Sequence, residues 1–291
     1  MMKKYLKLWL LMLVPLCLTA CSVSSTKKDT SDRLKTHQTA KKPKFQDPVT
    51  LYFHGLMGSY KNERPIVEAA KKAGVTNSVI RANVNDQGKV KLIGKIKKNA
   101  KNSIVMVTYK DNVQPNFSRN GTYASNVVKT LQKKYDIRKV NMIGYSLGNV
   151  SIIYYQLQNG NRQKMPRLVK QVNIAGHFNG AYFKELPPGF REPKGMKIDK
   201  NGKPNKMNAT YKQMLKVRPI YEKHPVQVLN VIGDVGNGGD GVVKNISSQS
   251  LKYLVAGKNY QELKITGVKS DHGSLPNNDQ VEAAVVKFLW K

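Results

Sequence analysis

From residue 45 onward, the chain alternates short apolar runs with segments in which apolar residues recur at helical spacing. The apolar runs predict strands at residues 49–53, 78–84, 89–93, 104–109, 139–143, 169–175, 226–232 and 262–266. The helical spacing predicts helices at residues 62–73, 122–135, 147–158, 247–255 and 279–290. Alternation of this length favours an α/β fold, with a mostly parallel central sheet and helices on both faces.

One stretch interrupts this alternation. Residues 176–224 lie between two predicted strands, are rich in Pro, Gly and Lys, and contain a single segment of helical spacing at 208–217. A connection this long is more often a functional cover than a plain loop. We therefore expect a lid insertion at about residues 176–224, with a loose surface insertion as the alternative.

The N-terminal twenty residues have the composition of a targeting segment. Residues 1–7 carry three lysines and no acid, and residues 8–18 form an apolar run that is too short to span a bilayer. This pattern is typical of a signal peptide. The following sequence LTAC, which ends at Cys21, resembles the bacterial lipobox, in which the cysteine thiol receives a diacylglyceryl group.

The lipobox resemblance implies a signal peptide at residues 1–20 and a mature chain that begins at the lipidated Cys21. The lipid would anchor this chain at the outer face of a bacterial cell membrane. Residues 21–45 are rich in Ser, Thr, Lys and Gln, which predicts a disordered basic tether. The folded domain is then residues 46–291. An ordinary secretory signal with a chance cysteine is the alternative interpretation.

The net charge of this domain indicates which kinds of partner it can bind. The chain carries 50 Lys and Arg against 18 Asp and Glu, a net charge of +32, of which +24 falls on residues 45–291. Such a charge favours a polyanionic neighbourhood, so anionic cell-wall polymers are candidate partners. Solvated surface charge is the alternative. No basic run is interleaved with aromatic residues, and we therefore expect no nucleic-acid binding.

Composition excludes two further classes of protein. Hydrophobic residues make up 40% of the chain, which is enough for a core and excludes global disorder. The two cysteines, Cys17 and Cys21, both lie in the N-terminal segment. A disulfide-stapled fold and a Cys-ligated zinc site are therefore both excluded.

The sequence Gly144-Tyr145-Ser146-Leu147-Gly148 is a G-x-S-x-G motif between a predicted strand and a predicted helix. This context is that of a nucleophile elbow, a tight turn that lifts the serine oxygen above the sheet. The N-terminus of the following helix offers N–H groups and a positive dipole end to a developing oxyanion. Ser146 is therefore the candidate nucleophile.

An elbow serine needs a histidine base and an acid, in the chain order serine, acid, histidine. His272 is the one histidine that follows the last predicted strand, in a loop that can reach the carboxyl edge of the sheet. Two candidates for the acid, Asp234 and Asp240, lie in the loop after the strand at 226–232. We prefer Asp240, in the turn sequence GDGVV, and expect Asp234 to anchor the glycine-rich loop instead.

The loop after the first strand is expected to supply an oxyanion donor. It reads HGLMG from His54 to Gly58, and its glycines allow a sharp turn beneath a substrate carbonyl. We predict an oxyanion hole formed by the backbone N–H groups of Leu56 and Leu147. His54 then has a structural role in the loop. A metal site formed by His54, His177 and His272 is a weak alternative, and no cofactor is needed.

The motifs HGLMG, IVMVTYKDN, GYSLG, GDGVV and DHGSL together resemble α/β-hydrolases. Over residues 46–291 they are most similar to uncharacterised cell-surface hydrolases of Gram-positive bacteria, a family of unknown function. That family usually has Gly-His-Ser-x-Gly at the elbow and often His-Ser in the last motif. This chain has Tyr145 and Gly273 at these positions. We expect the tyrosine to alter the pocket wall without impairing catalysis.

These observations favour a serine hydrolase that acts on an extracellular ester, as a carboxylesterase or a lipase-like enzyme. Ser146 would attack the acyl carbonyl, His272 would transfer the proton, and Asp240 would orient His272. Two alternatives stay open. One is a surface binding protein that keeps the fold without turnover. The other is an acyltransferase, which uses the same acyl-enzyme.

Overall fold

The computed structural model describes residues 48–182 and 188–291. The predicted signal peptide, the predicted lipidation site at Cys21 and the predicted tether lie outside these residues. No helix in the described ranges is both long enough and apolar enough to cross a membrane.

The core of the domain is a single eight-stranded sheet. Its strands, in chain order, are β1 Val49–Phe53, β2 Val79–Val84, β3 Val90–Ile93, β4 Ile104–Tyr109, β5 Lys139–Tyr145, β6 Arg167–Ile174, β7 Gln227–Asp234 and β8 Tyr260–Thr266. Their spatial order is β3-β2-β4-β1-β5-β6-β7-β8. Every pairing is parallel except the hairpin of β2 and β3. The strand order therefore places β1 and β5 at the centre of the sheet.

Helices cover both faces of this sheet, as the alternation predicts. In the described residues they are α1 Arg64–Lys72, α2 Phe117–Tyr135, α3 Gly148–Asn159, α4 Ala209–Met214, α5 Arg218–Lys223, α6 Asn245–Gln249, α7 Leu251–Leu254 and α8 Asp279–Trp290. All five residues of β1 are buried. Leu51 and Phe53 pack in the apolar cluster with α2 and α3, and Tyr52 packs in the cluster with α1 and α8. The mostly parallel α/β architecture is thus confirmed.

The described parts of the lid segment, residues 176–182 and 188–224, pack onto the domain. Phe178 and Tyr211 are fully buried in the cluster that contains α2 and α3. Asn179, also fully buried, donates to the carbonyl oxygen of Lys206 at 2.8 Å and accepts from the N–H of Asn208 at 3.0 Å. These contacts make this part of the segment a wall of the domain.

A buried carboxyl group lies at the end of the 3-10 turn that precedes α1. Glu63 is fully buried, and neither of its oxygens has a hydrogen-bond partner in the described residues. Burial raises the pKa of Glu63 well above its usual value, while the nearby backbone of Val107 acts in the opposite direction. The neutral acid therefore persists to a higher pH than in an exposed glutamate.

This burial predicts that stability falls as pH rises. Glu63 holds its proton more tightly in the folded than in the unfolded chain. Its contribution to the free energy of unfolding is therefore complete below the pKa of the unfolded chain, about 4.5. This contribution is lost as the pH rises through the pKa of the folded protein. Between these two pKa values, the free energy of unfolding of the wild type should fall by up to about 1.4 kcal/mol per pH unit relative to that of Glu63→Gln, which cannot ionise.

Thermal unfolding of both proteins from about pH 5 to pH 8 measures this difference. Glu68→Gln, which alters an exposed carboxyl on α1, is the matched control. A difference between wild type and Glu63→Gln that stays constant with pH would contradict the prediction.

Candidate active site

Ser146 occupies the tight turn between β5 and α3. Its φ of 49° lies in the left-handed region that non-glycine residues rarely adopt, as expected for a nucleophile elbow. The flanking glycines are needed because backbone passes close by. A Cβ on Gly144 would lie 2.7 Å from the Cα of Asn149, and one on Gly148 would overlap the carbonyl oxygen of Phe53. The turn therefore admits no side chain at either position.

A row of buried amide side chains fixes the elbow from the side of β6. Asn149 donates from Nδ2 to the carbonyl oxygens of Ser146 at 2.9 Å and Ile174 at 3.0 Å. Its Oδ1 accepts from Asn173 at 2.8 Å, and Oδ1 of Asn173 accepts from Gln171 at 2.8 Å. Buried amides are favourable only when their partners are in place, so this row specifies the position of Ser146.

The structure brings the three predicted triad residues together. Nε2 of His272 lies 2.9 Å from Oγ of Ser146, and Nδ1 lies 2.8 Å from Oδ2 of Asp240. The side chains of Asp240 and His272 are 3% and 14% exposed, so the row is largely shielded from water. With Nδ1–H donating to Asp240, the Nε2 lone pair faces the serine hydroxyl and can accept its proton.

Asp240 is held in place by backbone donors. Its Oδ1 accepts from the N–H groups of Val242 at 2.9 Å and Val243 at 2.7 Å, which leaves Oδ2 for the imidazole. The backbone N–H of His272 also donates to the carbonyl oxygen of Asp240 at 2.8 Å. The two loops are therefore joined by main chain as well as by side chain.

Asp234 has the structural position that the sequence predicts. Its Oδ1 accepts from the N–H groups of Gly236 at 2.9 Å and Gly238 at 3.0 Å, within the glycine-rich loop. Its Oδ2 pairs with Nζ of Lys264 at 2.6 Å. The hydrogen bond from Lys264, followed by the loop N–H groups, lowers the pKa of Asp234 to about 2. Asp234 therefore anchors the loop and leaves Asp240 to His272.

Both predicted oxyanion donors lie beside Ser146. Leu56 and Leu147 line the same cavity as the serine, and neither backbone N–H donates to another described residue. The neighbouring N–H of Met57 is engaged with the carbonyl oxygen of Asn112 at 2.9 Å. Two unengaged N–H groups next to a nucleophile are what an oxyanion hole requires.

His54 supports this loop, in agreement with its predicted structural role. Its Nε2 accepts from the N–H of Tyr109 at 3.1 Å, so Nδ1 carries the proton and donates to the carbonyl oxygen of Gly55 at 2.7 Å. Burial lowers the pKa of His54, which favours this neutral form. The weak metal interpretation gains no support, since no group of three or more metal-ligating side chains occurs in the described residues.

Ser146 opens onto a small apolar cavity of about 180 Å³. The other residues of its wall are mostly apolar: Leu56, Val113, Gln114, Pro115, Phe117, Leu147, His177, Ala181, Phe190 and Val242. His177, Ala181 and Phe190 belong to the lid segment, which therefore completes the wall. The volume falls below the roughly 300–1,000 Å³ that is usual for ligand pockets.

A comparison with known protein families identifies one that has this combination of fold and nucleophile elbow. Residues 36–291 match the family described as alpha/beta hydrolase of unknown function (DUF915). The chain belongs to this family. It is therefore an alpha/beta hydrolase, and the resemblance inferred from its motifs is confirmed.

Two solved structures share the fold of this alpha/beta hydrolase. A gene product of Listeria innocua has 22% sequence identity and a TM-score of 0.72, and the match covers 84% of this chain and 94% of that chain. A protein of Lactobacillus plantarum described as a cell-surface hydrolase has 19% identity and a TM-score of 0.64, with coverages of 84% and 92%. No curated protein matches the chain.

Tyr145, the residue before Ser146 in the elbow, packs against the predicted base of this hydrolase. Its hydroxyl donates to the carbonyl oxygen of His272 at 3.0 Å, and the two ring centroids lie 5.5 Å apart. Burial raises the pKa of Tyr145 to about 12, which keeps the hydroxyl a donor. The side chain does not line the cavity beside Ser146, so the expected effect on that wall is not observed.

His177, which the sequence analysis names only in the alternative metal site, is a wall residue of the cavity. Its ring packs against Phe117 with centroids 6.2 Å apart. Burial lowers the pKa of His177 to about 4, with a further contribution from nearby His272. The ring is therefore neutral at neutral pH. Its position in the lid segment is the only sequence signal for this role.

Proposed function

We propose that this alpha/beta hydrolase is a cell-surface serine esterase. The observation that carries the proposal is the unbroken hydrogen-bonded row Asp240–His272–Ser146 beside an apolar cavity. Such a row activates a serine hydroxyl for attack on an acyl carbonyl. The two unengaged N–H groups beside it support the same reaction class.

In the proposed reaction, Ser146 attacks the ester carbonyl while Nε2 of His272 accepts the hydroxyl proton. Asp240 stabilises the resulting imidazolium, and the N–H groups of Leu56 and Leu147 stabilise the oxyanion. The imidazolium then protonates the leaving alcohol, which departs and leaves an acyl-enzyme. Water, deprotonated by His272, attacks the acyl carbonyl and releases the carboxylic acid and the free serine.

The size of the cavity favours short acyl groups. At about 180 Å³, with Phe190 as part of its wall, it fits short acyl chains better than long ones. We therefore expect the rate on p-nitrophenyl esters to be highest for short chains and to fall by about tenfold or more for the longest. A series of such esters, measured as kcat/KM, tests this.

Replacing two aromatic residues of the lid segment makes this test more specific. Phe190→Ala enlarges the cavity and should shift the preferred acyl chain to greater length. Tyr182→Ala is the matched control, because Tyr182 is exposed and does not line the cavity. A wild-type rate that increases with chain length, or an unchanged profile in Phe190→Ala, would contradict the assignment of the acyl site.

The location at the cell surface is part of the same proposal. The lipobox-like sequence ending at Cys21 supports anchoring by a lipid to the outer face of the bacterial membrane. The description of the Lactobacillus plantarum protein as a cell-surface hydrolase agrees with it. An enzyme placed there would meet extracellular esters.

A further inference from the structure

A basic cleft lies at the end of the sheet opposite Ser146. It has a volume of about 400 Å³ and forms where β5 and β6 begin, beside the ends of α2 and α3. Its cationic lining residues are Arg138, Lys139, Arg162, Lys164 and Arg167. Ser146 follows the other end of β5, so the seven residues of that strand, about 23 Å of chain, separate the two sites.

Arginine is concentrated in the basic cleft. The chain contains nine arginines against 41 lysines, and three of the nine line this single cleft. Lysine already provides the general surface charge. The guanidinium of arginine adds a planar fork that binds two phosphate or carboxylate oxygens at once, whereas a lysine acts as a point charge. The enrichment therefore indicates recognition of an oxyanion.

The charge of the cleft is largely uncompensated. No Asp or Glu lines it, whereas three other surface clefts of the described residues include Glu262, Glu282 and Glu222, respectively. Arg138 pairs with Asp136, which does not line the cleft, at 2.7 Å. The remaining cations make no salt bridge to a described carboxylate: Lys139, Arg162, Lys164 and Arg167.

Shape and lining favour a chain of phosphates as the occupant. No Phe, Tyr or Trp of the described residues lines the cleft, so it lacks the large aromatic platform on which single-stranded nucleic-acid binding proteins stack successive bases. The site is concave, which suits a polymer strand better than the flat face of a bilayer. The exposed amide side chains of Asn161 and Gln163 add hydrogen-bonding groups beside the cations.

We propose that the basic cleft binds a linear phosphate polymer. Binding there would dock the protein on the polymer through one end of the sheet and leave Ser146 at the other end open to its own substrate. The inference goes beyond the proposed esterase function and does not depend on it.

The test measures binding of long-chain inorganic polyphosphate to the full chain and to the double variant Arg162→Gln/Arg167→Gln. The variant should bind about tenfold more weakly. The slope of log affinity against log salt concentration should become shallower by about 0.7 for each phosphate that the variant no longer neutralises. Thermal unfolding and hydrolysis of a small ester should stay unchanged, since neither arginine touches the candidate active site.

Two further variants decide whether the site is specific. Lys258→Gln/Lys287→Gln removes two exposed charges from the cleft that contains Glu262 and should stay within about twofold of wild type. Arg162→Lys/Arg167→Lys keeps the charge and should recover only part of the affinity. Equal weakening by both glutamine pairs, or tighter binding of a single-stranded oligonucleotide or anionic vesicles than of polyphosphate, would overturn the proposal.

Discussion

Ser146→Ala should reduce kcat for ester hydrolysis by about 10⁵-fold or more and abolish covalent labelling by a fluorophosphonate. The hydroxyl is the only group of the row that can form the acyl-enzyme. Its loss leaves His272 with no nucleophile to activate. Intact-mass measurement after labelling should show one adduct on the wild type and none on the variant.

The matched control for this experiment is Ser274→Ala. Ser274 lies two residues beyond His272 in the same loop but is not part of the hydrogen-bonded row. Its replacement should leave labelling intact and change kcat by less than about tenfold. Labelling that persists in well-folded Ser146→Ala would reject Ser146 as the nucleophile. A well-folded wild type that takes no label would instead favour a surface binding protein that keeps the fold.

Asp240→Asn should lower kcat by about 10⁴-fold without unfolding the protein. Oδ1 of Asp240 accepts two backbone N–H groups, so the amide oxygen of an asparagine must occupy that position. The NH₂ group then faces Nδ1 of His272 and donates to it. This forces the proton of the imidazole onto Nε2, where it blocks acceptance of the proton from Ser146.

Asp234→Asn provides the matched comparison for this prediction. Asp234 is the last residue of β7 and also accepts two loop N–H groups, but it pairs with Lys264 rather than with His272. The variant should lose loop stability and keep kcat within about tenfold of wild type. If the two variants lost activity equally, the assignment of Asp240 as the orienting acid would fail.

The segment from β5 to α3 is predictable to within a residue or two because several local signals agree there. An apolar run specifies a buried strand, the glycines specify the tight turn, and the helical spacing resumes immediately after it. The final helix is predicted at residues 279–290, the same bounds that α8 has. Asn278 caps this helix by accepting from the N–H groups of Gln280 and Val281.

The predicted start of α2 is wrong, and the reason is physical. The sequence predicts a helix from residue 122, after Gly121, whereas α2 begins at Phe117 with Asn116 as its N-cap. Gly121 is not a helix breaker here. A Cβ at this position would lie 2.5 Å from the Cβ of Tyr154, so the glycine permits close packing of α2 on α3. Packing between distant segments has no local sequence signal.

The features around the site that were not predicted are likewise long-range. Tyr145 meets His272, which lies 127 positions away along the chain. The row of buried amide side chains that positions the elbow joins α3 to β6. The arginines of the basic cleft come from separate segments of the chain. Periodicity and motifs describe neighbours in sequence. They cannot specify which polar side chains of distant elements become partners.

The close approach of Gly148 to Phe53 has a consequence for the evolution of this site. The five residues Gly144 to Gly148 do not determine the geometry of the turn alone, because the turn packs against the backbone of β1. The loop that carries Leu56 continues from that same strand. The proposed nucleophile and the proposed oxyanion donor at Leu56 therefore follow two adjacent parallel strands, whose spacing is about 4.8 Å. Divergence elsewhere in the sequence can be extensive while this pair of strands preserves the reacting distances.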